Sequence, residues 1–453
     1  MAQFIPITTG PRNPRDAVAS EHSRPLLRTN IAWTFVGQVT HAASQLAILC
    51  VLARLGTETA VGEYSLALAV TTPIFMVFNL HLRVVQATDQ EHQFQLPDLM
   101  GLRLLTSFLA VLVVAVWAGF LDSWSLILAT FCLACGRAVE SISELLYGEF
   151  QRLENMRFIS LSSIIRGICG ALAFLACYLL TRNVVMAIVA MSCISLACLL
   201  FLDGRMISLL AEASAPPWYR VAWHQARIRQ VLFLAVPAGF VNATNAWMIN
   251  IPRIALQHFH GTAALGLFAG VSYFMVAGGT IILAVNQSVL ARLAKYASTN
   301  RSAFHRLLVK VMALNIACGA AGVGMAFFAG DFLLLHLFGY ADPILSRCFT
   351  IVMLAAGIRY AARPFVVALR AEKQMWSMAF AYVFAITSAL LASLLLIPRY
   401  ALLGSAIACL TVACCELAAV IVAFLYARRR ARYARATLHA IDDPPGNSAK
   451  LSA

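Results

Sequence analysis

Apolar runs about twenty residues long recur along the chain at intervals of roughly thirty, separated by short polar stretches. Each approaches the ~20 residues that carry a helix across a ~30 Å hydrocarbon core. They predict twelve transmembrane helices, at 31–53, 62–81, 99–119, 124–148, 158–180, 184–204, 230–251, 262–290, 307–329, 344–369, 375–397 and 401–426. Lipid offers no water to backbone N–H and C=O groups, so such segments satisfy them internally as helices. The expected fold is an all-α polytopic membrane protein.

The pattern also divides the chain. Six spans lie on each side of a polar stretch, DGRMISLLAEASAPPWYRVAWHQARIRQ, containing Pro216-Pro217. The halves echo each other: GTETAVGEYSLA (56–67) follows the first span and GTAALGLFA (261–269) the seventh, while QRLENMRF follows the fourth and LRAEKQMW the tenth. With an even number of spans, both halves enter the membrane in the same sense. That predicts a parallel repeat, two six-helix lobes about a pseudo-two-fold axis along the membrane normal. The expected division is a tail (1–29), an N-lobe (30–204), a linker (205–229), a C-lobe (230–426) and a basic tail (427–453).

Composition agrees. Of 453 residues, 61% are apolar and 12% charged, with a mean hydropathy of +0.79, where soluble domains carry about 25% charged residues. The first 29 residues are polar and show no signal-peptide pattern. Basic residues alternate by loop: 25 of the 34 lysines and arginines fall on one side, 5 on the other and 4 inside spans. By the positive-inside rule the richer side, holding both termini, is cytoplasmic. The net charge of +14 thus points to anionic lipids, which the tail ARRRARYARA would meet, and not to nucleic acid.

Other chemistries lack their motifs. The chain has no G-x-x-x-x-G-K-[ST], and its largest outer loop, FAGDFLLLHLFGYAD, is too short for a membrane glycosyltransferase or polymerase. Nearly all twelve cysteines lie in apolar spans, where free Cys packs as a small apolar residue; Cys132-x-x-Cys135 has no second pair. No metal and no cofactor is expected. The chain reads as a transporter and not an enzyme.

Charge within a span costs about 2.5 to 3.5 kcal/mol even on insertion scales, so intramembrane ionisable residues are functional candidates. The fourth span carries Arg137, Glu140 and Glu144 on one helical face. The tenth carries Arg359 and Arg363, four apart, beside Pro364. Arg166 lies in the fifth, Glu416 in the twelfth, Gln38 and His41 in the first, and His81 and Arg83 close the second. Arg54 and Arg253 sit near outer ends, where snorkelling would account for them. On span 4, Arg137 and Glu140 could pair as structural glue. Alternatively the face lines a hydrated cavity, with arginines on an anionic substrate and Glu140, Glu144 and Glu416 balancing charge or carrying protons. Charge at matching depth in both halves makes Arg137 and the Arg359–Arg363 pair two arginine-bearing faces across the lobes. Arginine's planar fork binds oxyanions bidentately and stays charged when desolvated, which suits a phosphate-bearing lipid.

NIAWTFVGQVTHAASQLAILCVLARLG followed by VGEYSLALAVTTPIFMVFNLHLR resembles the opening of the polysaccharide-type, Wzx-like flippases of the multidrug/oligosaccharidyl-lipid/polysaccharide exporter superfamily. The matching elements are Asn30 to Trp33, Ala53-Arg54-Leu55-Gly56, Gly62-x-Tyr64 and Leu80-x-Leu82-Arg83. The resemblance covers about 30–426. It implies translocation of undecaprenyl-pyrophosphate-linked oligosaccharides to the periplasmic leaflet by alternating access, for O-antigen, capsule or exopolysaccharide, alongside polymerase or export machinery. Arg137, Arg359 and Arg363 would then contact the phosphates, with Arg83 and Arg166 loading them. A cation-coupled drug or metabolite exporter of the same superfamily is the alternative, and a membrane glycan-assembly enzyme a remote one.

Overall fold

A computed structural model describes residues 27–88, 94–153, 155–210, 217–340, 342–372 and 374–442. The first 26 residues and the last 11, including most of the N-terminal tail, lie outside the described residues.

The described chain is helical, in the order α1 (Leu27–Leu55), α2 (Glu58–Phe78), the short α3 (Leu82–Thr88), α4 (Leu96–Ala118), α5 (Trp124–Arg152), α6 (Met156–Thr181) and α7 (Val184–Ala197). A π-helical turn, Cys198–Asp203, joins α7 to α8 (Gly204–Leu210). Then follow α9 (Gln225–Thr299), α10 (Arg301–Leu333) with its own π turn (Leu334–Phe338), α11 (Pro343–Ala371) and α12 (Met375–Asp442). Among the described residues, ten apolar helices are long enough to cross a membrane. Two of them, at 45 and 53 residues, would reach roughly 70–80 Å at 1.5 Å per residue, far beyond one crossing. Each is broken once, at Gly261 (φ 81°) in α9 and at Ala401 (φ 47°, ψ −118°) in α12. The breaks yield the twelve expected crossings. We call the face at which α1 begins the inner face.

The repeat appears in backbone detail. Helices α5 and α11 are both 29 residues, and a register of 219 separates their starts and their ends. Their exits repeat bond for bond: Leu153 N–H donates to Glu149 O and Asn155 N–H to Phe150 O, as Glu372 N–H donates to Ala368 O and Gln374 N–H to Leu369 O. QRLENMRF and LRAEKQMW are thus one turn used twice.

The other repeated motif holds the lobes together. A Cβ added to Gly62 would lie 1.9 Å from Thr262 O, and one on Gly266 would lie 2.0 Å from Glu58 O. The first turns of α2 and of the second leg of α9 therefore cross backbone against backbone about the pseudo-two-fold axis, at the outer end. Only glycine permits that approach. Arg54 reinforces the contact by donating to the Leu335 and His336 carbonyls of the other lobe. It serves the lobe interface, where snorkelling had been the expectation.

The linker is folded onto the N-lobe. Asp98, 2% exposed in the first turn of α4, accepts from Arg227 at 2.7 Å and pairs with His224 Nδ1 at 2.6 Å. Ala222 N–H donates to Pro97 O at 3.0 Å, and Trp218 covers Gly204.

Candidate functional site

The intramembrane charges fall into two clusters, one in each lobe. In the N-lobe, Arg137 on α5 bonds Glu140 one turn further on at 3.1 Å, with about a quarter of each side chain exposed. His41 from α1 lies within electrostatic reach of Glu140, Arg137, Arg166 and Glu144. A small cleft beside the pair is walled by Gln45, Tyr64, Arg137, Glu140, Ser192 and Ser195 among others. Tyr64 donates to Gln45 at 2.8 Å.

Arg166 on α6 is almost sealed. It donates to Asp203 at 2.8 Å and to Ser143 at 2.7 Å, and its guanidinium lies 6.0 Å from the Tyr147 ring. Arg83, on α3, donates to Gln151 at 3.2 Å, and its guanidinium lies 5.6 Å from the centre of the same ring. Leu80 and His81, at φ 48° and 53°, turn the chain sharply between α2 and α3. His81 there lies within electrostatic reach of Arg83 and, across the lobes, of Arg370. Glu144 is exposed, with Asn79 Nδ2 3.5 Å from its Oε2. Asn79 in turn accepts from Arg103 at 2.6 Å.

The C-lobe cluster is simpler. Arg359 Nε stands 3.0 Å from Glu416 Oε2 on α12, with 7% and 0% of the side chains exposed. Arg359 and Arg363 both donate to one acceptor, Asn245 Oδ1 on α9, at 3.0 and 2.9 Å. Among the described residues no carboxylate lies within ion-pair distance of Arg363. Arg253 points into this lobe, donating to Ser272 at 2.9 Å, instead of snorkelling outward.

The 219-residue register corrects the expectation of two matching arginine faces. Position 137 corresponds to Ala356, whereas Glu140 corresponds to Arg359 and Glu144 to Arg363. The lobes carry opposite charge at equivalent sites. Deep in the N-lobe, among the described residues, three cations (Arg103, Arg137, Arg166) stand with three carboxylates (Glu140, Glu144, Asp203); in the C-lobe three (Arg253, Arg359, Arg363) stand with Glu416 as the one described carboxylate at that depth. The C-lobe therefore holds a surplus of two positive charges.

Several of these residues escaped the sequence reading. Asp203 and Arg103 stood at expected span ends and were counted with the loops, yet they are 0% and 1% exposed. Asn245 interrupts an apolar span and carried a usable signal; Asn79 did not, lying in a turn.

A second cleft opens between the lobes. Phe35, Val39 and Leu46 of α1 face Phe274 and Ile281 of α9 and Met353 of α11 across about 1180 Å³, part of it open to the outside. Tyr360, next to Arg359 in sequence, also lines it.

Two six-helix lobes crossing at glycines, each with its own intramembrane polar cluster, give the chain the fold of solved transporters of the multidrug/oligosaccharidyl-lipid/polysaccharide exporter superfamily. The fold is that of the Vibrio cholerae MATE transporter VcmN, solved as a mutant (TM-score 0.64, 13% identity, 92% of this chain and 98% of that one). It is equally that of a superfamily transporter from Pyrococcus furiosus described as having a binding pocket of reverse polarity (TM-score 0.63, 13% identity, 90% and 96%). The chain belongs to the polysaccharide biosynthesis protein family, whose model matches residues 27–297. It is 26% identical to the capsular polysaccharide biosynthesis protein CapF of Staphylococcus aureus over 413 residues, 88% of this chain and 99% of that one.

Proposed function

We propose that this protein is a flippase for polyprenyl-pyrophosphate-linked oligosaccharides, carrying them from the cytoplasmic to the periplasmic leaflet of a bacterial inner membrane for surface polysaccharide assembly. The inner face is then cytoplasmic and holds both termini, with the basic end of α12 against anionic lipids. The single observation that carries this reading is the uncompensated charge of the C-lobe. An arginine inside the spanning part of α11, with an amide as its one partner among the described residues, leaves donors for an oxyanion, and a surplus of two charges matches a diphosphate. Arg359 and Arg363 are the headgroup residues, and Arg83 at the inner mouth loads them. Arg137 and Arg166, each held by a carboxylate of its own lobe, shape the N-lobe wall. The apolar cleft between α1 and α9, beside Tyr360, gives the polyprenyl chain a place in the bilayer while the headgroup enters. Family membership and the likeness to CapF support the polysaccharide pathway.

Deleting the gene should remove the surface glycan and make its lipid-linked precursor accumulate on the inner leaflet, with wild-type chain restoring both. Unchanged glycan and precursor would overturn the reading. A drug exporter, the alternative, would instead show altered drug susceptibility with intact glycan.

A further inference from the structure

We propose that Asn315 of α10 is a positioning residue for the headgroup arginines: it caps the Tyr360 carbonyl that Pro364 leaves without a donor, and so holds the opened turn of α11 that aims Arg359 and Arg363 at one point. This rests on the proposed role of those two arginines and adds what sets their geometry.

Pro364 lies inside α11. A proline there has no N–H for the carbonyl four residues back, and its ring crowds that carbonyl. The carbonyl is that of Tyr360, between the two arginines in the chain. Lipid offers it no water, so a neighbouring helix has to supply the donor. Asn315 does so, with Nδ2 donating to Tyr360 O at 3.2 Å. Asn315 is 0% exposed, and no described residue meets its Oδ1. Burying an amide with one half unpaired is costly. What the side chain contributes in return is its N–H.

Two further contacts fix the same turn. Gly319 and Gly357 bring the backbones of α10 and α11 together one turn away, where a Cβ on Gly319 would lie 2.8 Å from Gly357 Cα. The Tyr360 hydroxyl donates to Met275 O of α9 at 3.1 Å, in space that Gly278 leaves free. Tyr360 is thus held at its carbonyl by α10 and at its ring by α9. The arginines on either side of it converge on Asn245 Oδ1.

The repeat shows where this turn matters. In the 219-residue register Pro364 corresponds to Leu145 of α5, and Arg363 to Glu144. The proline therefore stands where the second lobe exchanges a carboxylate for a guanidinium. A proline ring also restricts the backbone of the residue before it, which here is Arg363. Any change in the turn passes directly to that guanidinium.

The test uses purified full-length protein in nanodiscs with geranylgeranyl diphosphate as the probe, and reads melting temperature and affinity separately. Asn315→Leu should lower the melting temperature by a few degrees. Well below melting it should weaken diphosphate binding about tenfold, the scale set by a buried carbonyl left unpaired. Pro364→Ala returns an N–H to the turn and closes it, and should also weaken binding. Adding Asn315→Leu to Pro364→Ala should leave the melting temperature almost unchanged, because Tyr360 then has a donor in its own helix. If Asn315→Leu alone is too unstable to purify, the double variant decides: a stable double variant upholds the cap and an unstable one overturns it. An equal melting penalty in both backgrounds makes Asn315 ordinary packing and overturns the inference. Wild-type affinity in Asn315→Leu or in Pro364→Ala overturns it too, since the cap would then have no hand in binding. Absence of diphosphate binding to the wild type overturns the headgroup reading itself, and this inference with it.

Discussion

Arg359 and Glu416 form an ion pair of 3.0 Å between α11 and α12 that is almost wholly shut off from its surroundings. The pair joins residues far apart in the chain, and Asn245 from α9 shares the same guanidinium. Three crossings of the C-lobe therefore meet at one cation.

Breaking such a pair from one side leaves the other charge buried and alone, a loss of about 3–5 kcal/mol. Glu416→Gln should lower the melting temperature of the purified protein and its yield in the membrane. The double variant Arg359→Gln with Glu416→Gln should recover much of that stability and still fail to export glycan. Equal stability of the single and double variants would contradict this assignment.

Arg363→Gln should abolish export with normal protein level, since it removes a cation that no carboxylate among the described residues engages. Arg137→Gln should be milder in transport, because its nearest task is pairing with Glu140. Glycan yield normalised to membrane-inserted protein distinguishes the two. If Arg137→Gln is the more severe, the substrate site belongs to the N-lobe.

Alanine normally improves a helix over glycine by about 1 kcal/mol. At Gly62 and Gly266 the added methyl would meet a backbone carbonyl at 1.9 and 2.0 Å, which no rotamer relieves. Gly62→Ala and Gly266→Ala should each lower the melting temperature and impair export, with a cost of at least the ~1–3 kcal/mol typical of overpacking. Gly324→Ala, in open space, is the control and should be neutral or slightly stabilising.

Asp98 ties the linker to the N-lobe through two charged partners. Losing charge-assisted bonds of about 1.5–3 kcal/mol frees a segment roughly ten- to a hundredfold more often. Asp98→Asn should therefore speed tryptic cleavage after Arg220 and Arg227 by about that factor, read by intact-mass analysis. Unaltered cleavage would mean that Trp218 and the Ala222–Pro97 bond suffice.

Much of the architecture was legible in the amino-acid sequence because it depends on local quantities. Transfer of an apolar stretch into lipid is decided residue by residue, so the twelve crossings could be read from the runs alone. Even the breaks at Gly261 and Ala401 fall where the polar pattern placed them, although the helices continue on both sides. The repeated GTETAVGEYSLA and GTAALGLFA were visible as a likeness, while their use as a glycine crossing between lobes was not.

What only the tertiary structure decided is which charge answers which. Arg166 finds Asp203 at the far end of the next crossing, Arg359 finds Glu416 two crossings away, and Arg363 finds an amide from α9. Ion pairing depends on helix rotation and on partners remote in the chain, and an apolar pattern with few polar marks leaves rotation loosely specified. The same applies to the inversion of charge between equivalent sites. Glu140 and Arg359 could be aligned only once the shared bounds of α5 and α11 gave the register. Span positions follow from burial in lipid, a property of each segment; the distribution of free charge follows from packing, a property of the whole.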